Sequence, residues 1–294
     1  MQGPQISTTP AALFARLGTA AAPVVVDVRR TAALAESDRL IVSAFHRPPE
    51  DVARWAYELP VGRPVVVYCV HGHEVGQNAA KALRAAGIDA TYLEGGIAAW
   101  LEQSLPARRK IGTPGGKWVT RERPKIDRIA CPWLIRRFVD PSAEFLYVPT
   151  PDVLATAKRT GATPYDIEGV EFSHEGERCS FDTMLRIYDI KDAGLARLAA
   201  IVRGADTGRP ELTPQSAGLL AVSLGLSANF ADDHEMLAHG MVVYDALYTW
   251  CRSLQAESHN WPTKATAALA AVSGRTSGGG AYSRAHGAPG LARR

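Results

Sequence analysis

The stretch VVVYCVHGHEVGQNAAKALRAAG, residues 65–87, joins an apolar run, a short loop and an alanine-rich periodic segment. This order predicts a buried strand, a tight loop around Gly72 and a helix that begins near Gly76. Cys69 ends the strand, so we expect amides of the loop and of the helix N-terminus to surround its sulfur. Such amides and the helix dipole favour negative charge. We therefore predict a nucleophilic thiolate whose loop can hold a terminal anionic sulfur or an oxyanion; an inert buried thiol is the alternative.

Strands and helices alternate on both sides of this stretch. We predict strands over 23–29, 63–69 and 90–95, and helices over 10–18, 49–59, 76–87 and 96–103. This alternation is typical of an α/β fold, in which a parallel sheet carries helices on both faces and binds ligands at the carboxyl ends of its strands.

The apolar periodicity stops in PARRKIGTPGGK, residues 106–117, which predicts a linker. Beyond it we expect a mainly helical α+β domain, with a strand over 143–149 and periodic segments over 151–160, 180–205, 212–229 and 233–254. The predicted organisation is an α/β domain at 1–108, a linker at 109–117, a second domain at 118–256 and a disordered tail at 257–294.

Composition limits the classes of partner. The chain has 294 residues, of which 46% are hydrophobic, and its 33 Lys and Arg leave a net charge of only +3. These basic residues are spread along the chain, so nucleic acid is not an expected partner. No signal peptide or membrane span is evident, so we expect no membrane partner and a cytoplasmic location. The four cysteines lie far apart and are expected to be thiols.

Three ordered motifs resemble the rhodanese, or sulfurtransferase, domain: VVVDVRR at 24–30, the Cys69 loop with its helix at 68–88, and ATYLEGGIAAW at 90–100. The resemblance implies that Cys69 takes a sulfane sulfur from a small-molecule donor. It then passes the sulfur, as a persulfide, to a thiol or cyanide-like acceptor. His71, Asp27 and Arg29 are the expected catalytic partners of Cys69. The loop residues expected to bind the substrate are Val70, Gly72, His73, Glu74 and Val75.

The loop departs from the pattern of that family. Many members carry Arg directly after the cysteine, where this chain has Val70, and a basic or hydroxyl residue near the loop end, where it has Glu74 and Val75. Two like charges at about 4 Å repel by ~1 kcal/mol in water, so thiosulfate is expected to be a poor donor. Protonated His71 or His73 would offset this repulsion, or would pass a proton to the leaving thiol.

Two features of the second domain suggest chemistry. Pro132 predicts a helix that begins near it, with Cys131 at or next to the N-cap, which makes Cys131 a candidate sulfur acceptor or redox thiol; a buried apolar cysteine is the alternative. Glu235 and His239 lie four residues apart, on one helix face. Together with His174 or Cys179 they would bind a divalent metal; helix capping and solvation are the alternative roles for the polar residues here.

Residues 117–254 resemble the C-terminal domain of chromate-resistance proteins of the ChrB type. The matching segments are KIDRIACPWLIRRFVDP at 125–141, ATPYDIEGVEFSHEGERCSFDTML at 162–185, LAAIVRGADT at 198–207 and DDHEMLAHGMVVYDALYTWCR at 232–252. Two functions follow from the combination. In the first, the chain is a sulfurtransferase coupled to chromate resistance. In the second, it is a non-catalytic sensor or binding protein for chromate, another oxyanion or a metal.

Overall fold

The computed structural model describes residues 6–112 and 115–257. In chain order the strands are β1 Ser7–Thr8, β2 Val24–Asp27, β3 Arg39–Ile41, β4 Phe45–His46, β5 Val65–Tyr68, β6 Ala90–Leu93, β7 Ala107–Arg109, β8 Lys117–Arg121, β9 Glu144–Val148 and β10 Thr163–Pro164. The α-helices are α1 Pro10–Arg16, α2 Thr31–Ala35, α3 Val52–Trp55, α4 Glu74–Ala85, α5 Gly96–Glu102, α6 Asp127–Leu134, α7 Val153–Thr160, α8 Ser180–Ile187, α9 Ala193–Asp206, α10 Ser216–Asn229 and α11 Asp233–Thr249. The π-helical turns Ile135–Val139 and Trp250–Leu254 extend α6 and α11.

In the described residues the first part of the chain builds a five-stranded parallel sheet in the order β1-β6-β5-β2-β4. Its central strands are runs of valine that bury both faces. Val26 and Val67 pack into a core with α4, whereas Val25 and Val66 pack into another with α1 and α5. Runs that are apolar on both faces are typical of parallel sheets covered by helices on each side. The predicted α/β fold is thereby confirmed.

The second part is mainly helical and carries the three-stranded parallel sheet β10-β8-β9, so the predicted α+β class is confirmed as well. The periodic segment over 180–205 is two helices, α8 and α9, rather than one. Asp189 adopts a left-handed φ of 49°, which turns the chain after α8. The Asp192 carboxylate then caps α9 by accepting a hydrogen bond of 2.7 Å from the Leu195 amide.

The two parts share one hydrophobic core and belong to one compact unit that ends at Ala256. Arg252, after α11, donates to the carbonyls of Phe14 and Leu17 at 2.7 and 3.3 Å. Its guanidinium also lies 3.9 Å from the centroid of the Phe14 ring. The segment that follows α11 in the second part therefore contacts α1 of the first part directly.

Strands border the predicted linker on both sides. β7 ends at Arg109 and pairs antiparallel with β3, and β8 begins at Lys117. The buried Arg108 donates from Nη2 to the Ala44 carbonyl at 3.0 Å, so even this polar sequence is anchored. Residues 258–294, which make up almost all of the predicted tail, lie outside the described residues. No helix in the described part of the chain is long and apolar enough to cross a membrane.

Candidate active site

Cys69 lies directly after β5, at the carboxyl end of the parallel sheet, and is 6% exposed. Gly76, in the first turn of α4, faces its sulfur: a Cβ built on Gly76 would lie 3.3 Å from Cys69 Sγ. That separation is shorter than an ordinary van der Waals contact. A glycine at this position therefore lets the helix N-terminus approach the thiol closely.

The loop and the first turn of α4 present unpaired amides. Among the described residues, no hydrogen-bond acceptor is found for the backbone N–H groups of residues 70–76, and the N-cap residue His73 makes no side-chain cap. The first amide of α4 with a partner is that of Gln77, which donates to the His73 carbonyl at 3.1 Å. Free donors at a helix N-terminus favour the binding of an anion.

The second helix of the site, α5, orients the loop. The amides of Ile97 and Ala98 donate to the carbonyls of Cys69 and Val70, both at 3.0 Å. In a trans peptide the N–H group points opposite to the preceding carbonyl, so the Val70 and His71 amides face away from α5. Gly96 permits this contact, because a Cβ at its φ of 57° would lie 2.3 Å from the Cys69 carbonyl oxygen.

Asp27 and Arg29 lie at the end of β2, beside β5, and both are almost fully buried. The Arg29 guanidinium donates to both carboxylate oxygens of Asp27 at 2.6 to 3.0 Å and to the Arg39 carbonyl at 2.8 Å. Burial lowers the pKa of Arg29, but the hydrogen bonds and charge of Asp27 outweigh it, so the net shift is upward. The Arg29 guanidinium lies 6.0 Å from the centroid of the ring of Tyr68, the residue before Cys69.

The polar residues of the loop itself are exposed. His71 and His73 are solvent-accessible, with ring centroids 5.8 Å apart. Glu74 is the first residue of α4 and is also exposed. His46, on the neighbouring strand β4, is half-buried and engages the Arg29 carbonyl through Nε2 at 2.8 Å. The imidazoles of His71 and His73 and the carboxylate of Glu74 therefore face solvent at this loop.

Cys131 does not occupy the predicted N-cap. It lies inside α6, which begins at Asp127 and contains Pro132, and it is fully buried. Proline lacks the amide that would bond to the Arg128 carbonyl, and the Tyr147 hydroxyl donates to that carbonyl instead, at 3.3 Å. Burial raises the pKa of Cys131 well above its ordinary value. A buried, protonated thiol is a poor sulfur acceptor, so the structure corrects this expectation.

The structure does not bring the four predicted metal ligands together. Cys179 is fully buried and donates to Asp182 at 3.4 Å. Its pKa is raised, chiefly by burial. Glu235 is exposed, and the exposed His239 stacks on Phe230 with ring centroids 4.1 Å apart. Of the four, His174 is the one that reaches a cluster of potential ligands in the part of the chain that is described.

His174 lies against three aspartates that are not among the predicted ligands. Its Nε2 lies 3.1 Å from Asp206, 3.4 Å from Asp166 and 3.5 Å from Asp127. Hydrogen bonds to these carboxylates, that of Asp127 first, raise the pKa of His174 to about 12, whereas burial raises the pKa of Asp127 to about 7. These four residues form no short sequence motif, so their spacing along the chain does not indicate that they lie together.

Both parts of the chain match known families. Residues 9–103 match the Rhodanese-like domain, and residues 118–251 match the C-terminal domain of ChrB. This chain joins a rhodanese-like domain to a ChrB C-terminal domain. Cys69 and the Asp27–Arg29 pair lie in the rhodanese-like domain, and the aspartate cluster lies in the ChrB C-terminal domain.

The relatives each resemble one part of the chain. Protein ChrB of Cupriavidus metallidurans is 35% identical over 147 residues, which are 50% of this chain and 44% of that protein. The chain thus matches less than half of the length of this curated relative.

Two solved structures resemble the rhodanese-like domain. A rhodanese-related protein from Thermoplasma volcanium is 25% identical, with a TM-score of 0.31, over 35% of this chain and 96% of its own. A protein from Lactobacillus plantarum is 32% identical, with a TM-score of 0.28, over 29% of this chain and 72% of its own.

Proposed function

We propose that the rhodanese-like domain is a sulfurtransferase that carries sulfane sulfur as a persulfide on Cys69. The observation that supports this most is the row of unpaired amides at residues 70–76, in the loop and helix turn that directly follow a cysteine at the end of a parallel strand. These amides would bind the negative outer sulfur of the persulfide.

The reaction has two steps. The Cys69 thiolate attacks the outer sulfur of a donor such as thiosulfate; an S–S bond forms at Cys69, the S–S bond of the donor breaks, and sulfite leaves with the electron pair. An acceptor nucleophile, such as cyanide or a thiolate, then attacks the outer sulfur. This second attack restores the Cys69 thiolate. The exposed His71 would supply a proton when the leaving group is a thiolate.

The second domain gives this chemistry its context. Its likeness to Protein ChrB supports a role in chromate resistance, in which the sulfurtransferase acts beside the ChrB C-terminal domain. The shared hydrophobic core holds the two domains in one unit. The sulfur on Cys69 and a site in the ChrB C-terminal domain would therefore be at high effective concentration relative to each other.

The test is a mass measurement on the intact protein after incubation with thiosulfate or with glutathione persulfide. We expect a gain equal to one sulfur atom, located by peptide mapping on Cys69 and reversed by cyanide. The peptides that contain the buried residues Cys131, Cys179 and Cys251 serve as internal controls and should stay unmodified.

A Cys69→Ser variant should abolish the gain. The proposed sulfurtransferase function is excluded if neither donor adds sulfur to Cys69, or if the Cys69→Ser variant still gains the mass of one sulfur atom. The same amides would then support the alternative function, a site that binds chromate or another oxyanion without turnover. Quenching of tryptophan fluorescence by chromate would measure that binding.

A further inference from the structure

The cluster around His174 is assembled from four separate segments of the ChrB C-terminal domain. Asp127 is the first residue of α6, Asp166 follows β10, His174 precedes α8, and Asp206 is the last residue of α9. The sulfur transfer proposed above uses none of them. Convergence of an imidazole and three carboxylates from distant segments calls for a separate explanation.

The spacing of the cluster matches a metal coordination shell. Ligand atoms about 2.0 to 2.2 Å from one cation lie roughly 3.0 to 3.5 Å from each other, in octahedral or tetrahedral arrangement. The distances from His174 Nε2 to the three carboxylates are 3.1, 3.4 and 3.5 Å. Asp127, His174 and Asp206 each offer a ligand atom, and these atoms all lie within 4.8 Å of one another.

Asp127 supplies a second, independent observation. Its side chain is fully buried, and its Oδ1 has no hydrogen-bond partner among the described residues. Its Oδ2 accepts from the Ser180 amide at the start of α8 and faces His174. An unpaired carboxylate oxygen in a buried place costs free energy, because it has lost its water. A cation beside His174 that binds the Asp127 carboxylate through both oxygens would pair that oxygen.

The charges indicate the class of cation. Arg121 and Arg128 pair with Oδ2 of Asp166 at 3.0 and 3.4 Å, so Asp166 is already neutralised. Asp127 and Asp206 then carry two negative charges, which balance a divalent cation once that cation has displaced the proton from His174 Nε2. Oxygen donors with one imidazole suit borderline cations such as Mn²⁺ and Zn²⁺.

We propose that Asp127, His174 and Asp206 bind a divalent transition-metal cation, with Asp166 as a neighbouring carboxylate. His174 is 41% exposed and lines an open cavity of about 370 Å³ together with Asp166 and Asp206, so the cation can enter from solvent. The site replaces the predicted ligand set of His174, Cys179, Glu235 and His239, and keeps only His174.

The experiment titrates Mn²⁺ into the full-length protein, purified without a histidine tag and stripped with a chelator. Electron paramagnetic resonance measures free Mn²⁺. We expect one Mn²⁺ per chain, displaced by Zn²⁺. Affinity should fall by at least about tenfold in the Asp127→Asn, His174→Gln and Asp206→Asn variants. Glu235→Gln and His239→Gln are matched controls and should bind as the unmodified protein does.

Because Asp127 is buried, the fold of the Asp127→Asn variant is checked by circular dichroism. If that variant does not fold, the Asp206→Asn and His174→Gln variants still test the site, since these side chains are 18% and 41% exposed. The proposal is overturned if the unmodified protein binds neither Mn²⁺ nor Zn²⁺. It is also overturned if folded His174→Gln and Asp206→Asn variants retain full affinity, or if the two controls lose it. Cys69→Ser should leave Mn²⁺ binding unchanged, which separates this site from the proposed sulfurtransferase.

Discussion

Glu74 occupies the first position of α4, next to the unpaired amides of the Cys69 loop. A carboxylate there interacts favourably with the helix dipole, so it stabilises the helix. The same carboxylate repels a second anion. Under the proposed sulfur transfer, we expect Glu74 to disfavour anionic donors such as thiosulfate.

Replacing Glu74 with Gln removes that repulsion. We expect the rate of persulfide formation from thiosulfate to rise by about fivefold at low salt, the equivalent of ~1 kcal/mol for charges about 4 Å apart. The gain should shrink at 1 M salt, where the screening length is about 3 Å. Mass spectrometry of samples quenched at successive times measures the rate at which the Cys69 persulfide forms.

Glu102→Gln is the matched control, because Glu102 is an exposed carboxylate at the opposite end of α5 from the loop. Its thiosulfate rate should equal that of the unmodified protein. A Glu74→Gln rate that is equal or lower would contradict the view that Glu74 disfavours anionic donors.

Among the secondary-structure elements, β3 makes an ionic contact with the turn that follows α8. Arg39 in β3 pairs through Nη2 with Asp189, and its Nη1 donates to the Asp189 carbonyl at 3.4 Å. Asp189 is 22% exposed in its side chain and has a strained φ of 49°. The contact ties the rhodanese-like domain to the ChrB C-terminal domain.

The Asp189→Asn variant tests this contact by its pH dependence. The hydrogen bond from Arg39 lowers the pKa of Asp189 in the folded protein. A lowered folded pKa contributes stability above the unfolded value of about 3.9, and that stability is lost as the pH falls through the folded pKa. We expect the variant to lose up to about 1 kcal/mol of unfolding free energy at pH 7, and less at pH 3.

Urea unfolding of both proteins at the two pH values measures the difference. Asp38→Asn is the control, since Asp38 also contacts Arg39, at 3.5 Å, but is 74% exposed. Its effect should be close to zero at both pH values. A loss for Asp189→Asn that stays constant down to pH 3 would rule out an ionic origin.

At the scale of the whole molecule, one hydrophobic core contains residues of both domains. Phe138 and Tyr248 from the ChrB C-terminal domain are fully buried in the same cluster as Leu13 and Trp100 from the rhodanese-like domain. Close packing extends to Gly18, where an added Cβ would lie 2.3 Å from the Tyr248 ring. Neither domain can lose its structure without exposing apolar surface of the other.

We therefore expect the described unit to unfold in one cooperative step. Differential scanning calorimetry should show a single transition, with equal calorimetric and van't Hoff enthalpies, and circular dichroism should give the same midpoint. Arg252→Met, which removes the hydrogen bonds to Phe14 and Leu17, should lower that midpoint without splitting the transition. Two resolved transitions in the unmodified protein would contradict a shared core.

Local patterns were enough for much of the rhodanese-like domain. The valine runs, Gly72 and the alanine-rich helix predicted β5, the loop and α4, because burial on both faces and the need for a left-handed φ at Gly72 are properties of a few adjacent residues. The strand β8 was missed, since its residues lie at the edge of a Gly- and Pro-rich stretch that carries no periodicity. Pairing with β9 and β10 is what makes it a strand.

The sequence by itself determined the strands β2, β5, β6 and β9, the helices that alternate with the first three of them, and the place of Cys69 at a strand end, because these depend on neighbours along the chain. Only the tertiary structure decided that Cys131 is buried and that Asp127, Asp166 and Asp206 meet at His174. The Asp127 amide and the Asp206 carboxylate lie 3.4 Å apart across 79 positions of sequence. Such contacts arise from the packing of α6 on α8 and α9, which no local pattern encodes.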